Sequence, residues 1–337
     1  YTPDPAHATD PGFWPTGTTS PCTTTCYVDA TSGSDSNDGS TSGTAFASIA
    51  AALDAASSDG TIIVAPGTYY ERNLKITRPV TLLGDPGSAS VAGPGPNAPV
   101  IDGQNATGDA FDLVDGVTDV TITGFVIRNL GHTSFLNGTG VGVQAYVPST
   151  SDVTVSHNRF TDVGYGLLVG NDGSTARYAL GTHRYWNVSF NVFEGVYSAA
   201  IELTDTSDST AGSNVIHLDA AGSGPMGFFS WVRIDQRNLS IVGNTVDGTQ
   251  GTYPAIWVKA QGSSTPNLDG LVIRDNRVTA DAGSGWQLTV SEVTTGTVTG
   301  VDVADNSFGS FRNLTSSAID LSGNWWGQST GPAAGQT

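Results

Sequence analysis

VTVSHNRF, residues 153–160, carries the pattern from which the rest of the chain can be read: apolar Val153 and Val155, then Asn158, then apolar Phe160. WNVSFNVF repeats it with Trp186, Val188, Asn191 and Phe193. The template apolar-x-apolar-x-x-Asn-x-apolar returns at Leu239-Ile241-Asn244-Val246, Leu271-Ile273-Asn276-Val278, Val301-Val303-Asn306-Phe308 and Ile319-Leu321-Asn324-Trp326. Copies of one template at this frequency mark a repeat architecture. Apolar residues two apart are a strand burying one face. The short polar Asn tolerates the left-handed backbone of a sharp bend and bonds nearby backbone groups. Stacked on its own copies, it would build an internal ladder of amide hydrogen bonds. The Asn-to-Asn spacings are 33, 53, 32, 30 and 18 residues. A spacing near 30 suits one turn of a solenoid. The gap of 53 fits two turns if NVIHLD at 214–219 is a strand that lost its Asn, and the gap of 18 fits a closing partial turn.

The expected fold is therefore all-β: a right-handed parallel β-helix with an internal Asn ladder and an N-terminal capping helix. Here the chain resembles the pectate-lyase-like superfamily of β-helical proteins. Three stretches carry the resemblance: the opening YVDATSGSDSNDGS…AFASIAAALDAASSDGTIIVAPGTYYE at 27–71, the Asn ladder, and the ending GNWWGQSTGP at 323–332. The resemblance implies the solenoid. It leaves chemistry open, because the superfamily includes lyases, hydrolases, epimerases and non-catalytic surface proteins, so function has to be read from a site.

Composition narrows the partners. The chain has 337 residues with 43 Gly, the punctuation of many strands and turns, and a solenoid of this length needs no division into globular units. With 13 Lys+Arg against 31 Asp+Glu the formal charge is −18, which excludes the basic footprint that nucleic acid requires and disfavours an acidic membrane surface. No apolar run reaches membrane-spanning length. Cys22 and Cys26 in PCTTTC have no His or further Cys beside them, so a small disulfide loop in a secreted protein is expected rather than a zinc site. The start at Tyr1 is read as that of a processed, secreted or cell-surface protein. A monomer is expected, with no organic cofactor.

Residues 1–26 read as an extended leader and 27–337 as one β-helix domain. Asp35 and Asp38 in SGSDSNDGS read as a solvated turn. In 45–57, Phe46, Ile49, Leu53 and Ala56 have helical spacing, and a solenoid must cover the open end of its core, so this segment is expected to be the N-terminal cap. Residues 311–337, with Trp325 and Trp326, are expected to cover the other end.

A further strand recurs in each turn: 140–146, 165–171, 199–205, 229–235, 255–261 and 285–291. If Val143/Ala145, Leu167/Val169, Ile201/Leu203, Val232/Ile234, Ile256/Val258 and Trp286/Leu288 point inward, an outward set follows. It holds Gln144, Tyr146, Leu168, Glu202, Thr204, Trp231, Arg233, Asp235, Trp257, Lys259, Gln287 and Thr289. Exposed Trp beside carboxylates and bases is how a groove holds sugar rings. Substrate contacts are expected from Trp231, Trp257, Tyr146, Gln144 and Gln287, and from His183 and Arg184 in the 171–185 connection, which also holds Arg177.

Three functions compete for this row. A polysaccharide lyase acting on a uronic-acid polymer needs a base, Lys259 or Arg233, and positive charge to neutralise the sugar carboxylate. The second cation would supply that charge, with Ca2+ held by Glu202, Asp205 and Asp208, and with Asp235 beside it. A glycoside hydrolase on a neutral polysaccharide needs two carboxylates, for which Glu202 with Asp235 or Asp205 is the natural pair. A non-catalytic carbohydrate-binding module would make Glu202, Arg233 and Lys259 a surface ion ladder worth roughly 0–1 kcal/mol per pair.

Overall fold

A computed structural model describes residues 22–132, 139–170, 183–219, 225–249, 251–261, 266–280, 286–292 and 296–332. In it the apolar-x-apolar segments are strands stacked in parallel register. Val153 and Val155 sit between Val120 and Ile122 of the turn before and Trp186 and Val188 of the turn after. The described strands form sheets of 11, 15 and 3 strands wrapped around one axis, the architecture of a parallel β-helix. The core is a single apolar column that runs from Cys22 to Trp326. Alternation feeds it: Val143, Ala145, Leu167, Val169, Ile201, Leu203, Ile256 and Val258 are all buried there, as their period of two requires. Phe160 and Phe193 stack within it at 4.9 Å and 6°.

The Asn ladder is continuous from Asn158 to Asn324. Each side-chain N–H donates to the Oδ1 of the next Asn: Asn158 to Asn191 at 3.2 Å, Asn191 to Asn214 at 3.1 Å, Asn214 to Asn244 at 2.9 Å, and onward through Asn276 and Asn306. Two features differ from the sequence expectation. The turn at 214–219 has kept its Asn: Asn214 is the rung. Its preceding strand, Ser209–Gly212, is too poor in apolar residues to match the template. The left-handed backbone also belongs to the residue before each rung rather than to the Asn. His157, Phe190, Ser213, Gly243, Asp275, Asp305 and Gly323 have φ of 53°, 56°, 56°, 68°, 55°, 58° and 81°. The bend thus aims each Asn inward, where its amide replaces the backbone pairing that the bend interrupts.

Helix α1 (Ile49–Ala55) buries Ile49, Ala52 and Leu53 against the first strands, at the expected end of the column. Ser48 caps it by accepting from the Ala51 N–H at 3.1 Å. Glu71 accepts from the Ile49 and Ala50 N–H groups at 2.8 and 2.9 Å, where the helix dipole favours a carboxylate. Asp35 accepts from the Ala47 and Ser48 N–H groups at 2.9 Å, and Asp38 from Ser40 and Thr44, so that loop is a hydrogen-bonded turn. Cys22 and Cys26 form a disulfide, and both are buried in the column. The first strand starts at Thr25, so the end of the segment read as a leader already belongs to the solenoid. At the far end Trp326 packs edge-on against Phe308 at 4.8 Å, whereas Trp325 is exposed.

Candidate functional site

One outward row crosses nine strands of the largest sheet. Consecutive register partners are Lys75, Asp112, Gln144, Leu168, Glu202, Phe229, Trp257, Thr289 and Arg312. A second row, two residues further along, pairs Trp231 with Lys259 and Lys259 with Ser291. Parallel strands lie ~4.8 Å apart, so neighbours on a row can touch.

Outside the solenoid core these rows build a second apolar cluster of Val141, Tyr165, Leu168, Ala199, Met226 and Phe229. Tyr146, Trp231, Tyr253 and Trp257 pack on it, half-buried. Between them lies a cavity of about 240 Å³ lined by Glu202, Met226, Phe229, Trp231, Tyr253, Trp257 and Lys259. Glu202 is 1% exposed, and its Oε1 accepts from the Thr204 hydroxyl at 3.2 Å. A buried carboxylate at this place is not part of a solvated surface ladder.

Lys259 is the centre of the arrangement. Its Nζ lies 4.8 Å from the centroid of the Trp231 ring and 5.0 Å from that of Trp257. Each contact attracts a cation to the negative face of an indole. Burial in this aromatic surround lowers the Lys259 pKa below the ordinary lysine value. The rings are held by their own N–H groups: Trp231 donates to the Gln261 carbonyl at 2.6 Å and Trp257 to the Ser291 hydroxyl at 3.0 Å. Tyr253 stacks on Trp257 at 5.8 Å and 19°. The Arg233 guanidinium lies 4.8 Å from the Trp231 ring, so one indole meets two cations.

The structure separates the remaining sequence-derived residues. Strand Met226–Val232 ends before Arg233, so alternation does not carry on to Asp235. Asp235 opens a strand of the small sheet, where it pairs with Arg237 at 3.1 Å and accepts from Asn267. Asp205 accepts from the Arg233 and Ile234 N–H groups at 2.7 and 2.9 Å; it fixes the bend that carries Arg233. Burial pushes its carboxyl up to about 6. Asp208 accepts from Asn238 at 2.7 Å. Glu202, Asp205 and Asp208 therefore serve three different partners, and among the described residues no three Asp, Glu, His or Cys side chains form a group able to hold a metal ion. The residues present do not fit the expected calcium site.

His183 is buried, not groove-lining. Its Nδ1 lies 2.7 Å from the Thr150 hydroxyl, which also accepts from Trp186, and burial pushes its pKa down to about 4. Arg184 is exposed on another sheet. Gln144 occupies the row, but its amide nitrogen is engaged at 3.0 Å with both Asp109 and Asp112. Gln287 precedes strand Leu288–Glu292, and its side chain joins Gly309 to the Ala280 carbonyl. For the same reason Trp286, expected inward, instead stands on the groove, with the Arg312 guanidinium 5.6 Å from its ring. Arg177 lies outside the described residues. Sequence reading missed Phe229, Met226 and Tyr253. Phe229 shares the phase of Trp231 and could have been found from it, whereas Tyr253 comes from a turn that carries no periodic signal.

Comparison with known families shows the family of the fold. A family described as "Right handed beta helix region" matches residues 142–325, and one described as "Protein of unknown function (DUF1565)" matches residues 31–233. No curated protein matches the chain. Among solved structures the chain is similar to a GH136 lacto-N-biosidase from Eubacterium ramulus, with 11% identity, TM-score 0.36, and coverage of 90% of this chain and 67% of that one. It is also similar to a rhamnogalacturonan lyase, with 12% identity, TM-score 0.32, and coverage of 90% and 86%. Likeness this distant transfers no chemistry, which has to come from the cavity itself. No described helix is long and apolar enough to cross a membrane.

Proposed function

We propose that this protein, which belongs to the right-handed β-helix family, is a secreted enzyme that cleaves a uronic-acid polysaccharide by β-elimination in the Glu202–Lys259 cavity. The observation that carries the proposal is Lys259, held between two indoles with its pKa lowered by burial. A lysine acts as a base only in its neutral form, and desolvation enlarges that fraction near neutral pH. Lys259 takes the proton from the carbon next to the sugar carboxylate. The electron pair left behind forms a carbon–carbon double bond, the glycosidic carbon–oxygen bond breaks, and the departing oxygen takes up a proton. Arg233 neutralises the substrate carboxylate, whose charge grows as the proton leaves. The aromatic walls stack on the apolar faces of sugar rings, and buried Glu202 accepts from their hydroxyls.

Hydrolysis needs a second carboxylate across the scissile bond. Among the described residues that line the cavity Glu202 is the one carboxylate, and Asp205 and Asp235 are engaged elsewhere. The disulfide supports an oxidising, extracellular location.

The test is a panel of charged and neutral polysaccharides, following ultraviolet absorbance of unsaturated product and reducing ends, with and without chelator. Absorbance that survives the chelator and disappears in Lys259→Ala is the expected result. Reducing ends without absorbance would replace elimination with hydrolysis. Tight binding without either signal would leave a carbohydrate-binding module.

A further inference from the structure

A second hollow adjoins the first, of about 390 Å³, and shares Tyr253 and Trp257 with it. Its other lining includes Trp286, Thr289, Arg312 and Leu314. Trp257, Thr289 and Arg312 are consecutive register partners, so Arg312 stands two strands, roughly 10 Å, beyond Trp257 along the solenoid axis.

The cation of this hollow is held by a ring rather than by a carboxylate. Among the described cations, Lys75, Arg128, Arg159, Arg237 and Arg274 each pair with a carboxylate, and Arg72 and Arg78 donate to backbone carbonyls. Lys259 and Arg312 form no ion pair with a described residue; they lie over Trp231, Trp257 and Trp286 instead. An indole holds a guanidinium in place without neutralising it, so its field remains available to an incoming anion. Arginine also presents a planar fork that matches a carboxylate with two hydrogen bonds.

We infer that Arg312 and Trp286 form a second anionic-sugar subsite: Trp286 stacks on a ring while Arg312 takes its carboxylate. The substrate is then a polymer of repeated uronates lying along the solenoid axis, with one residue at Lys259 and another, nearer the C-terminal end, at Arg312. This rests on the lyase reading for the first position only; the subsite binds its sugar whatever happens there.

The test measures binding by calorimetry to uronate oligomers from polygalacturonate, alginate and glucuronan digests, each beside its carboxyl-reduced, neutral counterpart. The wild type is expected to bind at least one charged tetramer, and more tightly than its neutral form. Arg312→Gln should weaken that tetramer about tenfold, as loss of a charge-assisted pair does, while changing disaccharide binding less than threefold. Arg312→Lys should recover part of the loss, which separates a binding role from a folding defect. Unchanged tetramer binding by Arg312→Gln overturns the subsite, as does failure of the wild type to bind any charged oligomer. Loss of tetramer binding in Arg312→Gln without any ultraviolet product from the wild type would keep the subsite and discard elimination at Lys259.

Discussion

The two ends of one outward row treat their charges in opposite ways. Toward the N-terminal end, Lys75 is bonded to Asp112 at 2.5 Å, and the Gln144 amide joins Asp112 to Asp109, whose other oxygen accepts from the Val141 N–H. Every group there answers a neighbour. Toward the C-terminal end Lys259 and Arg312 face indole rings. Backbone and register are the same; what differs is whether the protein neutralises its own cations. A cation already bonded to a carboxylate has little left to offer a substrate, whereas on a ring Arg312 keeps its charge for an anion and Lys259 is left able to give up its proton and act as a base. The first region closes the surface, and the second leaves a function open.

The sharpest way to break this contrast is to remove one lysine from each region. Lys259→Ala should cost roughly 10²–10⁴-fold in elimination rate, the range of a lost general base. Lys75→Ala should leave the rate within about twofold. Equal losses, read from the ultraviolet assay, would erase the distinction.

The next effect is on stability. Burial pushes Asp109 up to about 6, from an ordinary 3.8. The folded state then holds a proton that the unfolded state has released, so this group's contribution is full below about pH 4 and declines as pH rises through 6. The shift corresponds to about 3 kcal/mol at most. Asp205 acts with the same sign, and His183, pushed down to about 4, with the opposite one over an overlapping range. The expected observation is therefore a difference: in thermal unfolding from pH 4 to 7, Asp109→Asn falls less than the wild type.

A smaller effect tests the aromatic surround. Trp231→Ala opens Lys259 to water and moves its pKa back toward the ordinary value, so the rising alkaline limb of the rate profile should shift upward by about one pH unit or less. A downward shift would mean that the lost attraction between the Trp231 ring and the cation outweighs the lost desolvation. The smallest effect is the stability cost of Lys75→Ala. Its side chain is 61% exposed, and the loss should stay within about 1 kcal/mol in denaturant unfolding.

Residues within strands were legible because alternation is enforced by the core. Residues beyond a strand end were not: Asp235, Trp286 and Gln287 lie where the period of two no longer holds, and each departs from its expected place. Asn214 escaped the template for a related reason, since a rung needs only a bend and an inward amide, not an apolar strand before it.

By itself, then, the sequence determined the solenoid, its Asn ladder, its helical cap and, as far as the strands run, the inward face of the groove strands. These follow from local period and spacing, which each turn repeats. Only the tertiary structure decided which outward side chains share a cavity, which carboxylates are already engaged, and which cations rest on rings. Those outcomes depend on contacts between turns some 30 residues apart, where stacking brings together side chains that no local pattern connects.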